Sequence, residues 1–409
     1  MTTATPKAPG NLGAIIAAEH DELIAIRRDI HAHPELGYEE RRTCEVIQRE
    51  LAALGVAHKA GYAGGTGVVA HIPATGDGTA DSTGPCIAFR ADIDALPIHE
   101  ITGVAYASTT EGVMHACGHD GHTAILIGLA RTLVALEHRP NPVTLIFQPA
   151  EEGGGGGKRM CDDGALAGEG GGGLGPKVNK IFGLHNWPGM PLGTIATKGG
   201  PLLAATDEFN VTITGNQGHA AFPHMATDPV TAVCQIVTAL QTIASRNAPP
   251  TDPMVLSVTQ VHSGFTHNVI PVEATLGGTL RTVTEETRTM ARERFHEIVR
   301  TQAASFGCTA EIDWRDGYPV TRNDAALADH VLELSRTTPG VTEVQRLTEP
   351  FLGGEDFAYY GAHVPACFFV LGACPEGQST PALLHQPHFD FNDDSIPLGV
   401  EMFARLALA

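Results

Sequence analysis

Residues 114–122 read MHACGHDGH, so three His, one Cys and one Asp fall within nine positions. These are the side chains that bind divalent metals. Cys117 and His119 stand two apart just ahead of an apolar stretch, so both can face one side of a loop. Read alone, the block is equally open to a structural zinc site, although a paired Cys-x-x-Cys arm is missing. Residues 147–153 read FQPAEEG and follow a short apolar run. The adjacent carboxylates of Glu151 and Glu152 repel each other, which suits divided tasks: one binds a cation while the other works as a general base. A solvated acidic turn is the plainer reading of any Glu-Glu pair. The position between an apolar run and the glycines of 153–157 weighs against it.

Other reactive residues stand at the ends of apolar runs. Asp92 and Asp94 follow CIAF, where carboxylates commonly orient ligand histidines. His185 closes IFGLH, and His385 lies in LHQP ahead of the last helical pattern. Downstream, His219 sits in the small-residue stretch GNQGHAAFPH and Asn268 in HNVIP. Arg281 ends a strand pattern and suits a bidentate grip on a carboxylate.

The elements that must hold these residues can be read from periodicity. Apolar residues at helical spacing predict helices over 12–31, 43–54 and 119–136, and short runs predict strands at 67–72, 86–89, 143–147 and 181–184. Alternating strands and helices imply a largely parallel sheet with helices on both faces, and reactive groups beyond the strands' carboxyl ends. From about residue 200 the order becomes strand, helix, two strands, helix, strand, at 208–214, 229–245, 255–261, 274–282, 284–304 and 309–314. That is the split βαβ order of a small α+β domain. Helix, strand and helix then return at 325–336, 366–371 and 396–408. The expected architecture is an α/β domain with a mixed, mainly parallel sheet, interrupted by an inserted ferredoxin-like α+β domain. Its boundaries are drawn at 1–200, 201–315 and 316–409. Residues 168–175, a second glycine-rich tract, read as an inserted surface loop.

Composition sets limits. The 409 residues carry 26 Lys plus Arg against 46 Asp plus Glu, a net charge of −20, with 43% hydrophobic and 18% charged residues. Such a chain is globular, and its acidity argues against nucleic acid or anionic membrane partners. No apolar run approaches a membrane span, and MTTATPKAPG does not read as a secretory leader. Eight scattered Cys then read as reduced thiols or ligands in a cytoplasmic protein. The acidity would repel an anionic substrate, so any such substrate needs a locally positive pocket.

The motifs together resemble those of the bacterial amidohydrolases in the two-metal aminoacylase and carboxypeptidase superfamily, in the branch of hippurate hydrolase, N-acyl-amino-acid hydrolases and the plant auxin-conjugate hydrolases. The matching stretches, in order, are HPELGYEE (33–40), FRADIDALP (89–97), HACGHDGH (115–122), FQPAEEGGGG (147–156), GLHNWPGMPLGTI (183–195), GHAAFPH (218–224), HNVIPVEATLGGTLRT (267–282), GGEDFAYY (353–360) and LHQPHFDFND (384–393). The resemblance implies a catalytic domain with an inserted lid that also makes a homodimer or homotetramer. It implies two divalent ions per subunit, zinc in the first place, with manganese, cobalt and nickel open. Cys117 would bridge them, Glu152 and His385 would complete one site, and His119 and His185 the other. Glu151 would be the general base acting on a metal-bridging water, Asp94 an orienter and His219 the oxyanion donor. Asn268 and Arg281 would hold the substrate carboxylate, with Gly353 and Gly354 lining the site. Asp92 stands where many relatives carry a metal-binding His, which fits the branch that uses His119 instead.

The expected reaction is hydrolysis of an N-acyl amino acid to a carboxylic acid and a free amino acid. A carboxypeptidase or dipeptidase using the same site is the alternative. A thiol hydrolase with Cys117 as nucleophile would leave the Glu-Glu pair idle, and a non-catalytic metal-binding protein would not need Glu151.

Overall fold

The computed structural model describes residues 12–75, 84–378 and 381–409; the segment read as lacking a leader lies outside these. By its contacts the chain divides into two compact units. One comprises Met1–Leu202, Arg322–Thr348 and Asp356–Ala409, the other Leu203–Thr321 and Glu349–Glu355.

The first unit begins with helix α1 (Leu12–Ala32), whose buried stripe is Leu12, Ile16, Leu23, Ile26 and Ile30. After the HPELGYEE turn comes α2 (Arg41–Ala53). Glu35 in that turn accepts the orphan N–H groups of Arg42 and Thr43, both at 2.9 Å, which starts the helix. Strands β1 (Ala57–Tyr62), β2 (Gly67–Ile72) and β3 (Ile87–Asp92) follow, then α3 (His119–Ala135), β4 (Val143–Gln148) and α4 (Gly156–Asp162). Strands β5 (Lys180–Pro191), β6 (Thr194–Thr197) and β7 (Gly200–Leu203) complete this stretch.

The second unit carries β8 (Ala205–Thr214), β9 (Gly218–His219), α5 (Pro229–Thr242), β10 (Met254–Ser263), β11 (Val269–Ile270), β12 (Glu273–Thr282), α6 (Glu285–Ser305) and β13 (Thr309–Asp316). Then come β14 (Thr321–Asn323), α7 (Ala325–Ser335), β15 (Glu343–Arg346), α8 (Ala358–Gly361), β16 (Ala366–Cys374) and α9 (Ile396–Leu408).

The sheet of the first unit has eight strands in the order β1-β2-β4-β3-β5-β16-β6-β15. Its centre is parallel: β3 runs with β4 and β5, and β16 with β5, while β1, β2 and β4 pair antiparallel. Strands β3 and β4 are buried along their whole length, as continuous apolar runs between covering helices should be. Helix α3 is buried nearly all round because it packs against α1 and α9 as well as the sheet.

The glycine tract at 168–175 is a surface loop, exposed over 169–172, that is tied to the sheet. The carbonyl of Gly172 accepts Lys59 Nζ (3.1 Å) and the Tyr62 hydroxyl (2.5 Å), both on β1. A Cβ on Gly175 would fall 2.4 Å from the His71 ring on β2, so the tract lies tight against these strands.

In the second unit an antiparallel sheet, β10-β12-β8-β13, has α5 and α6 packed on one face, the inserted α+β fold expected from the strand and helix order. Phe209, Val211 and Ile213 of β8 meet Val233, Ile236 and Leu240 of α5 and Phe295, Ile298 and Val299 of α6. Asp228 caps α5 by accepting Val230 N at 2.8 Å, and Thr284 caps α6 by accepting Thr287 N at 3.2 Å.

Candidate metal centre

The parallel register sets the site. Asp92 pairs with Gln148, and Arg90 with Gly183, so His185 two residues further on is level with Asp92. The ends of β3 and β4 and the middle of the longer β5, which runs on to Pro191, therefore deliver Asp92, the turn after Gln148 and His185 to one edge. Helix α3 brings Cys117 and His119 to the same edge. Its N-cap, Gly118, has φ +91°, and a Cβ there would lie 2.4 Å from Asn186 Oδ1, so only glycine lets the Cys117 loop close over β5.

Cys117 Sγ lies 3.4 Å from His185 Nε2, and it gathers with Glu152 and His385 so that their ligand atoms lie within 4.8 Å of one another. His119, Glu151 and Glu152 form a second such group, and Asp92, His119, His122 and His185 a third. The structure thus places Cys117, His119, Glu151, Glu152, His185 and His385 in neighbouring groups at one edge. His385, at φ +63°, is held by its N–H to the carbonyl of Ala116 at 2.8 Å, which fixes it beside Cys117.

Hydrogen bonds decide which nitrogens remain free for a cation. His185 donates Nδ1–H to the Asn186 carbonyl at 2.8 Å, leaving the Nε2 lone pair towards Cys117. His119 donates Nδ1–H to the Asp94 carbonyl (3.0 Å) and to Asp94 Oδ1 (3.2 Å), and its buried Nε2 has no hydrogen-bond partner among the described residues. Glu152 Oε1 is likewise buried and lies 3.1 Å from His385 Nε2 without hydrogen-bond alignment. His122 is different. It donates Nδ1–H to Asp92 Oδ1 at 2.6 Å and accepts Asn186 N at Nε2 at 3.0 Å, so both nitrogens are used. Asp92 is also spoken for, taking His122 on one oxygen and Arg90 Nη1 at 2.7 Å on the other. Both support the site rather than offer ligands.

The electrostatics ask for a cation. Burial, with Glu152 and Glu151 nearby, pushes the Cys117 thiol well above the usual range. A thiolate here requires compensating positive charge. Burial lowers the His185 imidazole, so it stays neutral and able to donate its lone pair. For His119, burial would also lower the ring, but the Asp92 and Asp94 carboxylates outweigh it and push it up to about 10. The site therefore attracts positive charge at His119. A thiolate, three imidazoles and a carboxylate with orphaned buried atoms fit divalent ions.

The turn carrying the two glutamates is constrained. Ala150 is a buried non-glycine residue at φ +53°, a conformation costing about 1–3 kcal/mol unless its surroundings enforce it. Its N–H goes to Glu40 Oε1 at 2.9 Å. Burial pushes the Glu40 carboxyl up to about 7, against the lowering hydrogen bond from Thr66. Beneath the turn, Arg90 donates to Gln148 Oε1 and Asp356 Oδ1, both at 2.8 Å, and Asp356 accepts Gly157 N at 2.7 Å. Arg90, Gln148, Asp356 and Glu40 all lie inside recognised motifs, but nothing in their spacing announces these contacts.

The remaining candidates belong to the second unit. Strands β9 and β11 pair His219 with Val269, next to Asn268, whose carbonyl accepts Ala220 N at 3.0 Å. The His219 ring is exposed and accepts Ala221 N at Nδ1 (3.0 Å). Arg281 pairs across the sheet with Thr206, and a Cβ on Gly354 would reach Thr206 Cγ2 at 2.4 Å, so Arg281 and Gly353–354 share a neighbourhood. The half-buried Arg281 bonds only Thr279 Oγ1 and the Leu280 carbonyl and makes no ion pair among the described residues.

Residues 88–409 match the model of peptidase family M20/M25/M40. The chain belongs to this family. It is 38% identical over 403 residues to N-acetyl-L-cysteine deacetylase of Bacillus subtilis, covering 97% of this chain and 89% of that protein. It is 36% identical over 392 residues to thermostable carboxypeptidase 2 of Saccharolobus solfataricus, covering 95% of each. Among solved structures, the YXEP protein of Bacillus subtilis, described as a dinuclear metal-binding peptidase of the M20 family, superposes with a TM-score of 0.80 at 36% identity, over 96% of this chain and 98% of that one. The family member described here is a metal-binding hydrolase of amide bonds. No helix among the described residues is long and apolar enough to cross a membrane.

Proposed function

We propose that the protein hydrolyses N-acyl amino acids, releasing a carboxylic acid and a free amino acid. The observation that carries the reading is the division of labour in the Glu151–Glu152 turn. Glu152 joins Cys117 and His385 in one group, while the buried Glu151 joins His119 and Glu152 in another. Cys117, Glu152 and His385 would hold one divalent ion and His119 and His185 the other, with Cys117 shared. Zinc suits thiolate and imidazole donors, and manganese, cobalt or nickel can take such sites. Two such ions, when bound, polarise the amide carbonyl and acidify a water. Glu151 accepts the proton of the attacking water and passes it to the leaving nitrogen.

In the second unit, Arg281 and Asn268 would grip the free carboxylate, His219 would donate to developing negative charge, and Gly353 and Gly354 would leave room for substrate. That Arg281 makes no ion pair among the described residues supports that grip, since a guanidinium already neutralised would have little to offer. A homodimer or homotetramer through this unit is supported by exposed Phe222, Met225, Val261 and Phe265, with β10 as a sheet edge. A reducing cytoplasm suits the eight unpaired thiols.

The test is Glu151→Gln against Glu152→Ala. Glu151→Gln should keep both metals and lose turnover of N-acetyl-L-cysteine and hippurate, whereas Glu152→Ala should lose metal. Full activity after treatment with phenanthroline and gel filtration would sink the reading. A carboxypeptidase acting through the same residues is the second reading, favoured by the likeness to the thermostable carboxypeptidase. Turnover of dipeptides faster than of N-acyl amino acids would select it.

A further inference from the structure

The HPELGYEE turn holds no metal ligand and no base, yet it touches the catalytic edge at three points. The Glu40 carboxylate accepts Ala150 N at 2.9 Å on one oxygen and the Thr66 hydroxyl at 2.7 Å on the other, wholly buried. The Tyr38 hydroxyl donates to the Gly154 carbonyl at 2.6 Å. Between them, a Cβ on Gly37 would lie 3.0 Å from Ala150 Cβ and 3.6 Å from Asp94 Oδ2. The turn also runs beside the Asp94 segment, with Ala95 N donating to the Glu35 carbonyl at 2.8 Å.

The contacts on Ala150 and Gly154 bracket Glu151 and Glu152. Ala150 sets the direction in which the chain enters the pair, and its left-handed conformation needs both of its peptide groups held. Glu40 holds the N–H, and Gly156 N donates to the carbonyl at 3.1 Å. Without an acceptor the buried Ala150 N–H would be orphaned, and the backbone would relax away from φ +53°. The direction in which the chain enters Glu151 would then shift, whereas the N–H of Glu152 would stay tied to Asp94 Oδ2 at 2.9 Å.

We propose that Glu40 and Tyr38 are positioning residues for the general base, clamping the turn on both sides so that Glu151 is aimed independently of the metal ligands. The inference rests on the reading of Glu151 as that base. It concerns residues that touch neither substrate nor metal, so their effect should appear in kcat rather than in KM or metal content. Displacing a reacting group by about 1 Å costs on the order of 10²-fold in rate.

The experiment uses the metal-replete full chain with N-acetyl-L-cysteine and hippurate as substrates, and measures kcat, KM and bound metal on the same samples. Glu40→Ala should lower kcat about 10²-fold, with KM within about threefold and metal content unchanged. Glu40→Gln keeps an acceptor for Ala150 N and should restore kcat to within about fivefold of the parent. Tyr38→Phe should lower kcat about tenfold with the same split. Unchanged kcat in Glu40→Ala, loss of metal, or a Glu40→Gln no better than Glu40→Ala overturns the clamp. If Glu40→Ala does not accumulate folded, Tyr38→Phe decides alone, and an unaltered kcat overturns the proposal. Glu151→Gln is measured alongside: if it keeps turnover, the base assignment has failed, and if it is dead while Glu40→Ala is fully active, only the clamp has failed.

Discussion

Asp94 accepts the backbone N–H of Glu152 at 2.9 Å on one carboxylate oxygen. Its other oxygen faces His119 Nδ1 at 3.2 Å, so one side chain fixes the positions of two metal-ligand candidates on different elements. Removing it leaves the His119 ring on the Asp94 backbone carbonyl alone (3.0 Å) and takes the acceptor from Glu152 N, so both ligand candidates are held less firmly. Asp94→Ala should therefore weaken metal binding about 10–100-fold, with Asp94→Asn in between because its amide oxygen can still accept one of the two bonds. Competition of each variant against a chromogenic chelator measures this. Parent-like affinity in Asp94→Ala would show that the two ligands hold themselves.

Much of this arrangement is legible in the sequence, for physical reasons. The runs VTLIF and IAF have no polar residue facing water, so they read as central strands, and the ligands fall where such strands end. Strand β1, AHKAGY, escapes the same reading because it is a half-exposed edge strand with little apolar signal. The pairing of Asp92 with His122 depends on strand register and helix phase, and Glu40 meets Ala150 across 110 residues of chain. Spacing along the sequence carries neither. His122 stands in a motif full of ligands, and only its hydrogen bonds at both nitrogens show that it is not free to be one.

Gly118 makes a local prediction. At φ +91°, with a Cβ position 2.4 Å from Asn186 Oδ1, alanine brings both backbone strain and a clash with a fully buried side chain. Gly118→Ala should cost about 1–3 kcal/mol of stability and displace Cys117 from His185. Urea unfolding gives the first, and cobalt-substituted absorption spectra, which report thiolate ligation, give the second. An alanine variant with parent stability and spectrum would mean the loop has slack.

A fully buried ion pair joins helix α1 to the start of α3. Arg27 Nε lies 2.7 Å from Asp120, and the same guanidinium reaches Asp390 at 2.7 Å and Asp393 at 3.4 Å. Arg27→Met would leave Asp120 with the His31 ring alone at 2.8 Å, and removing one partner of a buried ion pair costs up to about 3–5 kcal/mol. Arg27→Met combined with Asp120→Asn should be less damaging than the sum of the two single changes, because the second removes the charge the first exposes. Urea unfolding of the four proteins closes this cycle, and simple additivity would argue against the pair acting as a unit.

His31 adds a pH dependence to the same cluster. Burial would lower its imidazole, but hydrogen bonds to Asp120 (2.8 Å) and Glu100 (3.4 Å) outweigh burial and push it up to about 9. In the unfolded chain a histidine titrates near ~6.5. Between these two values the folded protein binds a proton that the unfolded chain does not, so stability falls as pH rises. The contribution is complete below about pH 6.5 and gone above about pH 9, amounting to at most about 3 kcal/mol for a shift of this size. The raised His119 would slope the same way in metal-free protein, so the comparison needs metal-replete samples. Urea unfolding at several pH values from 6 to 9.5 should show the parent losing stability relative to His31→Gln across this window. A difference that stays constant with pH would mean that His31 is neutral in the folded protein and that Arg27 alone supplies the positive charge opposite Asp120.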